Sequence, residues 1–210
     1  MAYVEDGKAA KAFRCRQDKK NVFLIGDSIR QGYCRTVKEA LSDVAEVFFV
    51  EENCRSTQFV ITSLYSWANC FDAPEQVDLV QFNCGHWDIA HWSGYELPLT
   101  SEAEYARNIK MIIALIRKLF VNAKILFVTT TPMNPDGTLG VNVRTNTEIE
   151  QYNTIAVKTS QEAGIFVSDL YAFTKDWDPA QYADYCHFTK DANKILGEEV
   201  ARRLEKLLGL

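Results

Sequence analysis

Ser28 closes the tripeptide Gly26-Asp27-Ser28, and near the far end of the chain Asp184 and His187 stand three apart in Asp184-Tyr185-Cys186-His187. A serine hydroxyl is a weak nucleophile at neutral pH unless a neighbouring base takes its proton, and imidazole titrates in the right range to do so. Residues three apart meet within one helix-like turn. Asp184 can therefore accept from the Nδ1–H of His187 and leave Nε2 facing outward as the base. Hydroxyl, imidazole and carboxylate together are the parts of nucleophilic acyl transfer.

For those groups to meet, the fold must bring the first and last elements of the chain to one place. Five apolar runs read as strands: Asn21 to Ile25, Glu46 to Val50, Val77 to Phe82, Lys124 to Thr129 and Gly164 to Ser168. They are nearly continuous in apolar character, as a parallel sheet covered on both faces requires. Between them the period becomes helical. Val37, Leu41 and Val44 fall at i, i+4, i+7, and Tyr105, Ile109, Ile112, Ile116 and Leu119 mark a longer helix opened by a Ser101–Glu104 capping box. Thr145 with Glu148 opens another through Ile149, Tyr152 and Ala156, and Leu196, Val200, Leu204 and Leu207 mark the last.

This alternation predicts an α/β fold: a three-layer αβα sandwich around a flavodoxin-like five-stranded parallel sheet of order 2-1-3-4-5, joined by right-handed crossovers. Residues 1–20 read as a polar extension and residues 21–210 as a single domain. Ligands of such sheets bind off the carboxyl ends of the strands. Ser28 follows the first predicted strand and His187 precedes the last predicted helix, so both fall at that edge, with backbone N–H groups of a helix start pointing the same way.

These motifs resemble the SGNH/GDSL hydrolase family, and the resemblance runs from Val22 to about Leu204. It implies the SGNH hydrolase fold and a serine esterase or acylhydrolase with Ser28 as nucleophile, His187 as base, Asp184 as its partner and no cofactor. Asn53-Cys54-Arg55 sits where the family's second block brings an oxyanion-hole glycine, and Asn83-Cys84-Gly85-His86-Trp87-Asp88 sits where the third brings G-x-N-D. Cys54 stands near the glycine position, so its backbone N–H is expected to join the Ser28 N–H in holding the oxyanion. Trp87 occupies the asparagine slot, which makes Asn83 the candidate replacement amide.

Other side chains near these blocks have plainer readings beside the functional ones. Asp27 reads as a turn-stabilising acceptor and Arg30 as a partner of Glu51 or Glu52, yet both adjoin Ser28 and are candidate substrate contacts, together with Trp87 and Trp177. The loops carrying Trp87, Trp92 and Trp177 are expected to border one crevice, where aromatic faces beside acidic groups suit a polyhydroxylated ligand. His86 and His91 read as rim or surface residues with no proton-transfer role, and Cys186 as packed. The expected substrate is a short-chain acyl ester, O-acetyl in the simplest case, of a carbohydrate or related small molecule. A lysophospholipase or thioesterase, or a non-catalytic ligand-binding domain on the same fold, are the alternatives.

Composition narrows the partners further. With 28 acidic residues against 23 basic and a net charge of -5, the chain has no electrostatic footprint for nucleic acid or an anionic membrane. Its apolar stretches fall short of the ~20 residues of a bilayer crossing. Residues 1–20 carry no apolar signal region, which predicts a cytoplasmic protein as the chain is written. The six cysteines are scattered without a C-x-x-C pair and His86 and His91 lie five apart, so free thiols and no metal site are expected. Oligomeric state is not legible at this level.

Overall fold

The apolar runs become five parallel strands in the order β2-β1-β3-β4-β5, as the alternation predicts, in a computed structural model that describes residues 12–137, 140 and 142–210. The strands are β1 (Lys20–Ile25), β2 (Ala45–Phe49), β3 (Leu79–Phe82), β4 (Lys124–Val128) and β5 (Phe166–Ser168). Side chains alternate across the pleat, so β1 sends Phe23 and Ile25 into one core and Val22 and Leu24 into the other. Helices α1 (Ser28–Ala40) and α7 (Lys190–Leu208) pack on each other over the second core. Over the first lie α2 (Thr57–Ala68), α4 (Glu102–Leu119) and α5 (Asn146–Glu162), packed in that succession. Two short helices, α3 (His86–Ile89) and α6 (Leu170–Thr174), complete the set.

Both expected capping boxes form, at Ser101 with Glu104 and at Thr145 with Glu148. Some element ends differ from the expectation for local reasons. The helix marked by Val37, Leu41 and Val44 stops at Ala40; Leu41 caps it, and Val44 lies in the turn before β2. β3 starts two residues late because Pro74–Gln76 form a 3₁₀ turn closed by the Val77 N–H. β5 omits Gly164 and Ile165, since Gly164 adopts φ 67° to turn the chain out of α5.

Within the stretch read as a polar extension, the described residues from 12 onward lie against the domain. The Phe13 ring sits 4.9 Å from that of Phe71 and 5.4 Å from that of Phe48, and its backbone exchanges hydrogen bonds with Cys70 and Asp72. Among the described residues, no helix is long and apolar enough to cross a membrane.

β1 is flanked by β2 on one side and β3 on the other, so the connections leaving β1 and β3 diverge and open a crevice at their carboxyl ends. Ile25 pairs with Phe82, which brings Gly26-Asp27-Ser28 and Asn83-Cys84-Gly85 out of the sheet at the same level.

Candidate active site

The turn after β1 is built to present Ser28. A Cβ on Gly26 would fall 1.9 Å from Asn83 Oδ1 and 2.7 Å from the Arg30 Cβ, so this close approach needs glycine. Asp27 caps α1 by accepting from the Ile29 N–H at 3.0 Å, which leaves Ser28 as the first helical residue. The Ser28 Oγ then lies 2.8 Å from His187 Nε2, and His187 Nδ1 lies 2.7 Å from Asp184 Oδ2. With Nδ1–H donated to the carboxylate, Nε2 is the acceptor for the serine O–H.

The imidazole is held by its own turn. Asp184 Oδ1 accepts from the backbone N–H groups of Cys186 and His187 at 2.9 and 2.8 Å, and the Ala183 N–H closes back on the His187 carbonyl at 2.7 Å. Burial alone would raise the Asp184 pKa, but these N–H groups and the imidazole hold it below the ordinary value. From behind, the buried Arg144 guanidinium donates to the His86 carbonyl, approaches the Cys186 Sγ at 3.9 Å and lies 5.5 Å from the Tyr185 ring centroid. Arg144 thereby ties the loop after β3 to the loop that carries His187.

Ser28, Asp184 and His187 are thus brought together, while one of the expected oxyanion donors, the Cys54 N–H, is engaged elsewhere. The Cys54 N–H is committed to the Gly26 carbonyl at 3.1 Å and the residue is fully buried, so it does not face the serine. Arg55, the next residue, adopts φ 52°, the left-handed conformation that favours glycine, and its N–H meets only the Asn53 Oδ1 of its own loop at 2.9 Å. Arg55 is therefore the residue of this block with the backbone conformation that glycine favours, one position beyond Cys54. Its conformation, invisible in its side-chain type, is the signal. The buried Asn83 side chain packs against Gly26 and beside the Asp27 carboxyl, two residues and one residue before Ser28 in the same turn.

Two of the four candidate substrate contacts are withdrawn into the fold. Arg30 is completely buried and bonds the backbone carbonyls of Gly26, Val50 and Glu52, the last at 2.7 Å; it pairs with neither glutamate carboxylate. Asp27 is likewise fully buried and serves as the helix cap; burial raises its pKa against the Ile29 N–H, the Asn83 amide and the nearby guanidinium groups. Trp177 packs edge-on against Phe173 and Phe188 over the α1–α7 core, whereas Trp87 stacks with Trp92 beside the start of α2. Trp87 and Trp92 thus line a groove beside α2, while Trp177 packs against Phe188, the residue after His187.

His86 is not a rim residue. It is buried against Thr131 and Arg144, and desolvation pushes its pKa well down, so it stays neutral. His91 sits half-buried and pairs with Glu148 at 2.7 Å, which raises its pKa. All six cysteines are free thiols. Ligand atoms of Asp184, Cys186 and His187 lie within 4.8 Å of one another. The carboxylate and Nδ1 are already bonded to each other, however, and burial pushes the Cys186 thiol up to about 12, so these residues fit a hydrogen-bonded relay better than a metal.

The chain is 30% identical over 147 residues to the GDSL esterase/lipase WDL1 of Oryza sativa subsp. japonica, covering 64% of this chain and 56% of that one. It is 28% identical over 178 residues to the GDSL esterase/lipase CPRD49 of Arabidopsis thaliana, covering 72% and 68%. The match thus spans little more than half the length of the rice relative. Est24, a carbohydrate acetylesterase from Sinorhizobium meliloti, superposes with a TM-score of 0.68 over 90% of this chain and 100% of its own, at 15% sequence identity, which is a likeness of fold. The family model described as "GDSL-like Lipase/Acylhydrolase family" matches residues 24–195, and the chain belongs to that family.

Proposed function

We propose that this chain is a serine esterase that removes a short acyl group, acetyl in the simplest case, from an oxygen of a carbohydrate or related small molecule. The observation that carries the reading is the relay from Ser28 Oγ to His187 Nε2 at 2.8 Å and from His187 Nδ1 to Asp184 at 2.7 Å. Ser28 attacks the ester carbonyl as His187 takes its proton, and Asp184 fixes the imidazole tautomer and stabilises the imidazolium. His187 returns the proton to the departing alcohol. Water then attacks the acyl-serine by the same route and frees the acid.

The tetrahedral oxyanion forms beside the start of α1, where the Ser28 N–H has no protein acceptor among the described residues. The Arg55 N–H is the second donor, and the oxyanion displaces the Asn53 carboxamide from it. Support for a carbohydrate ester comes from the aromatic wall of Trp87 and Trp92 and from the shared fold of Est24.

A burst of p-nitrophenol from p-nitrophenyl acetate tests the reading. The expected result is turnover that falls by about 10⁴-fold or more in Ser28→Ala. Folded protein that turns over no ester between about pH 6 and 9, the range where the base is competent, would overturn it in favour of a ligand-binding domain.

A further inference from the structure

Beside the loops after β2 and β3 lies an open groove of about 460 Å³, walled by Phe59, Trp87, Trp92 and Leu99. Among the described residues, Arg55 is the one charged side chain that lines it. Its guanidinium lies 4.7 Å from the Phe59 ring centroid and 5.8 Å from that of Trp87, and among the described residues no carboxylate pairs with it. Trp87 and Trp92 meet at 4.8 Å with a 43° tilt, and the Trp92 indole N–H donates to the Trp87 carbonyl at 3.3 Å, so the aromatic wall is braced.

Two backbone links run from residues of the groove toward the turns that carry the proposed triad. Arg55 follows Cys54, whose N–H is bonded to Gly26 two residues before Ser28; Trp87 follows His86, whose carbonyl is held by Arg144 with the His187 loop.

An exposed guanidinium placed over aromatic faces is weakly hydrated and retains its forked donors for a carboxylate. An alkyl chain or a neutral sugar laid in this groove would cover that charge without compensating it, which is costly. We propose that the groove binds the ring of an O-acylated uronic acid, its carboxylate on Arg55 and its C–H face on Trp87 and Trp92. This names the substrate class for the esterase proposed above and rests on that reading for the chemistry, though not for the binding.

The test separates the two. Calorimetry on Ser28→Ala protein compares methyl glucuronoside with methyl glucoside, which differ only in the carboxylate. The expected result is at least ~10-fold tighter binding of the uronate, the size of a charge-assisted hydrogen bond. In the double variant with Arg55→Gln the two ligands bind alike, whereas with Arg55→Lys, which keeps the cation, a reduced preference for the uronate remains. Equal binding in the Ser28→Ala parent, or a preference that survives Arg55→Gln, overturns the groove assignment. Acetate release from acetylated methyl glucuronoside by the unmodified protein reports on the chemistry: uronate binding without release would remove the esterase reading and leave the groove standing.

Discussion

Arg30 sits in the first turn of the helix that presents Ser28, yet none of its guanidinium reaches solvent. Its donors fall on the carbonyls of Gly26, Val50 and Glu52, so one side chain fixes the nucleophile turn to the end of β2 and the loop beyond it. Arg30→Met fills similar space but strands the Val50 and Glu52 carbonyls, and stability should fall by about 3 kcal/mol. Urea denaturation measures this; a change below about 1 kcal/mol would show that the carbonyls find other partners. The approach of Ser28 to His187 was legible in the sequence because each lies next to the strand or helix that aims it. Asp184 was legible because it shares a turn with the imidazole. The commitment of the Cys54 N–H to Gly26 and the left-handed backbone at Arg55 were not legible, since neither leaves a mark in residue type. Arg30 was drawn toward glutamate carboxylates because charge is visible in a sequence and bare carbonyls at a strand end are not.

At the scale of elements, Asp88 joins three loops. Its carboxylate accepts from the Thr57 N–H at 3.0 Å, the Thr57 hydroxyl at 2.5 Å and the Thr100 hydroxyl at 2.8 Å. Ser56, the residue before α2, makes no side-chain cap of its own, so Asp88 caps that helix from the loop after β3 and also steadies the entry to α4. Burial nevertheless outweighs these donors and raises its pKa from 3.8 to about 6. A carboxyl raised in the folded state binds its proton more tightly there than in the unfolded chain. Its contribution is therefore full below about pH 4 and is lost as pH climbs through about 6, a swing of up to about 3 kcal/mol. Asp184, Glu148 and Glu199, whose pKa values are lowered, act in the opposite sense. The difference between the native protein and Asp88→Asn removes their share: relative to the variant, the native protein should lose stability between pH 4 and pH 7. A flat difference in urea midpoints across that range would refute this. Capping boxes at Ser101 and Thr145 were legible because both partners lie within four residues, whereas a cap supplied from another loop was not.

At the scale of the whole molecule, residues 12–19, ahead of β1, close the end of the sheet opposite Ser28. Phe13 joins Phe23, Phe48 and Phe71, and Phe120 completes the cluster from the end of α4. Phe13→Ala should cost about 2 kcal/mol in urea denaturation, the worth of a largely buried ring in edge contact with others. It should leave turnover of p-nitrophenyl acetate unaltered, because the ring lies at the far end of the strands from Ser28. Parallel damage to stability and rate would mean that the two ends are coupled. The layers and strand order followed from the rhythm of the apolar runs; the packing of residues before position 20 did not, because one phenylalanine among charges carries no periodic signal.

Because α1 packs on α7, the serine at the start of the first helix meets an imidazole that lies three residues ahead of α7. A ribosome-bound chain can fold most of its sheet while still lacking His187, and it becomes competent for any chemistry that needs both groups only once its last helix is released and docks. Cleavage anywhere between the two helices should likewise yield fragments that are inert apart and regain function only on reassociation, which suits this domain to use as a split reporter.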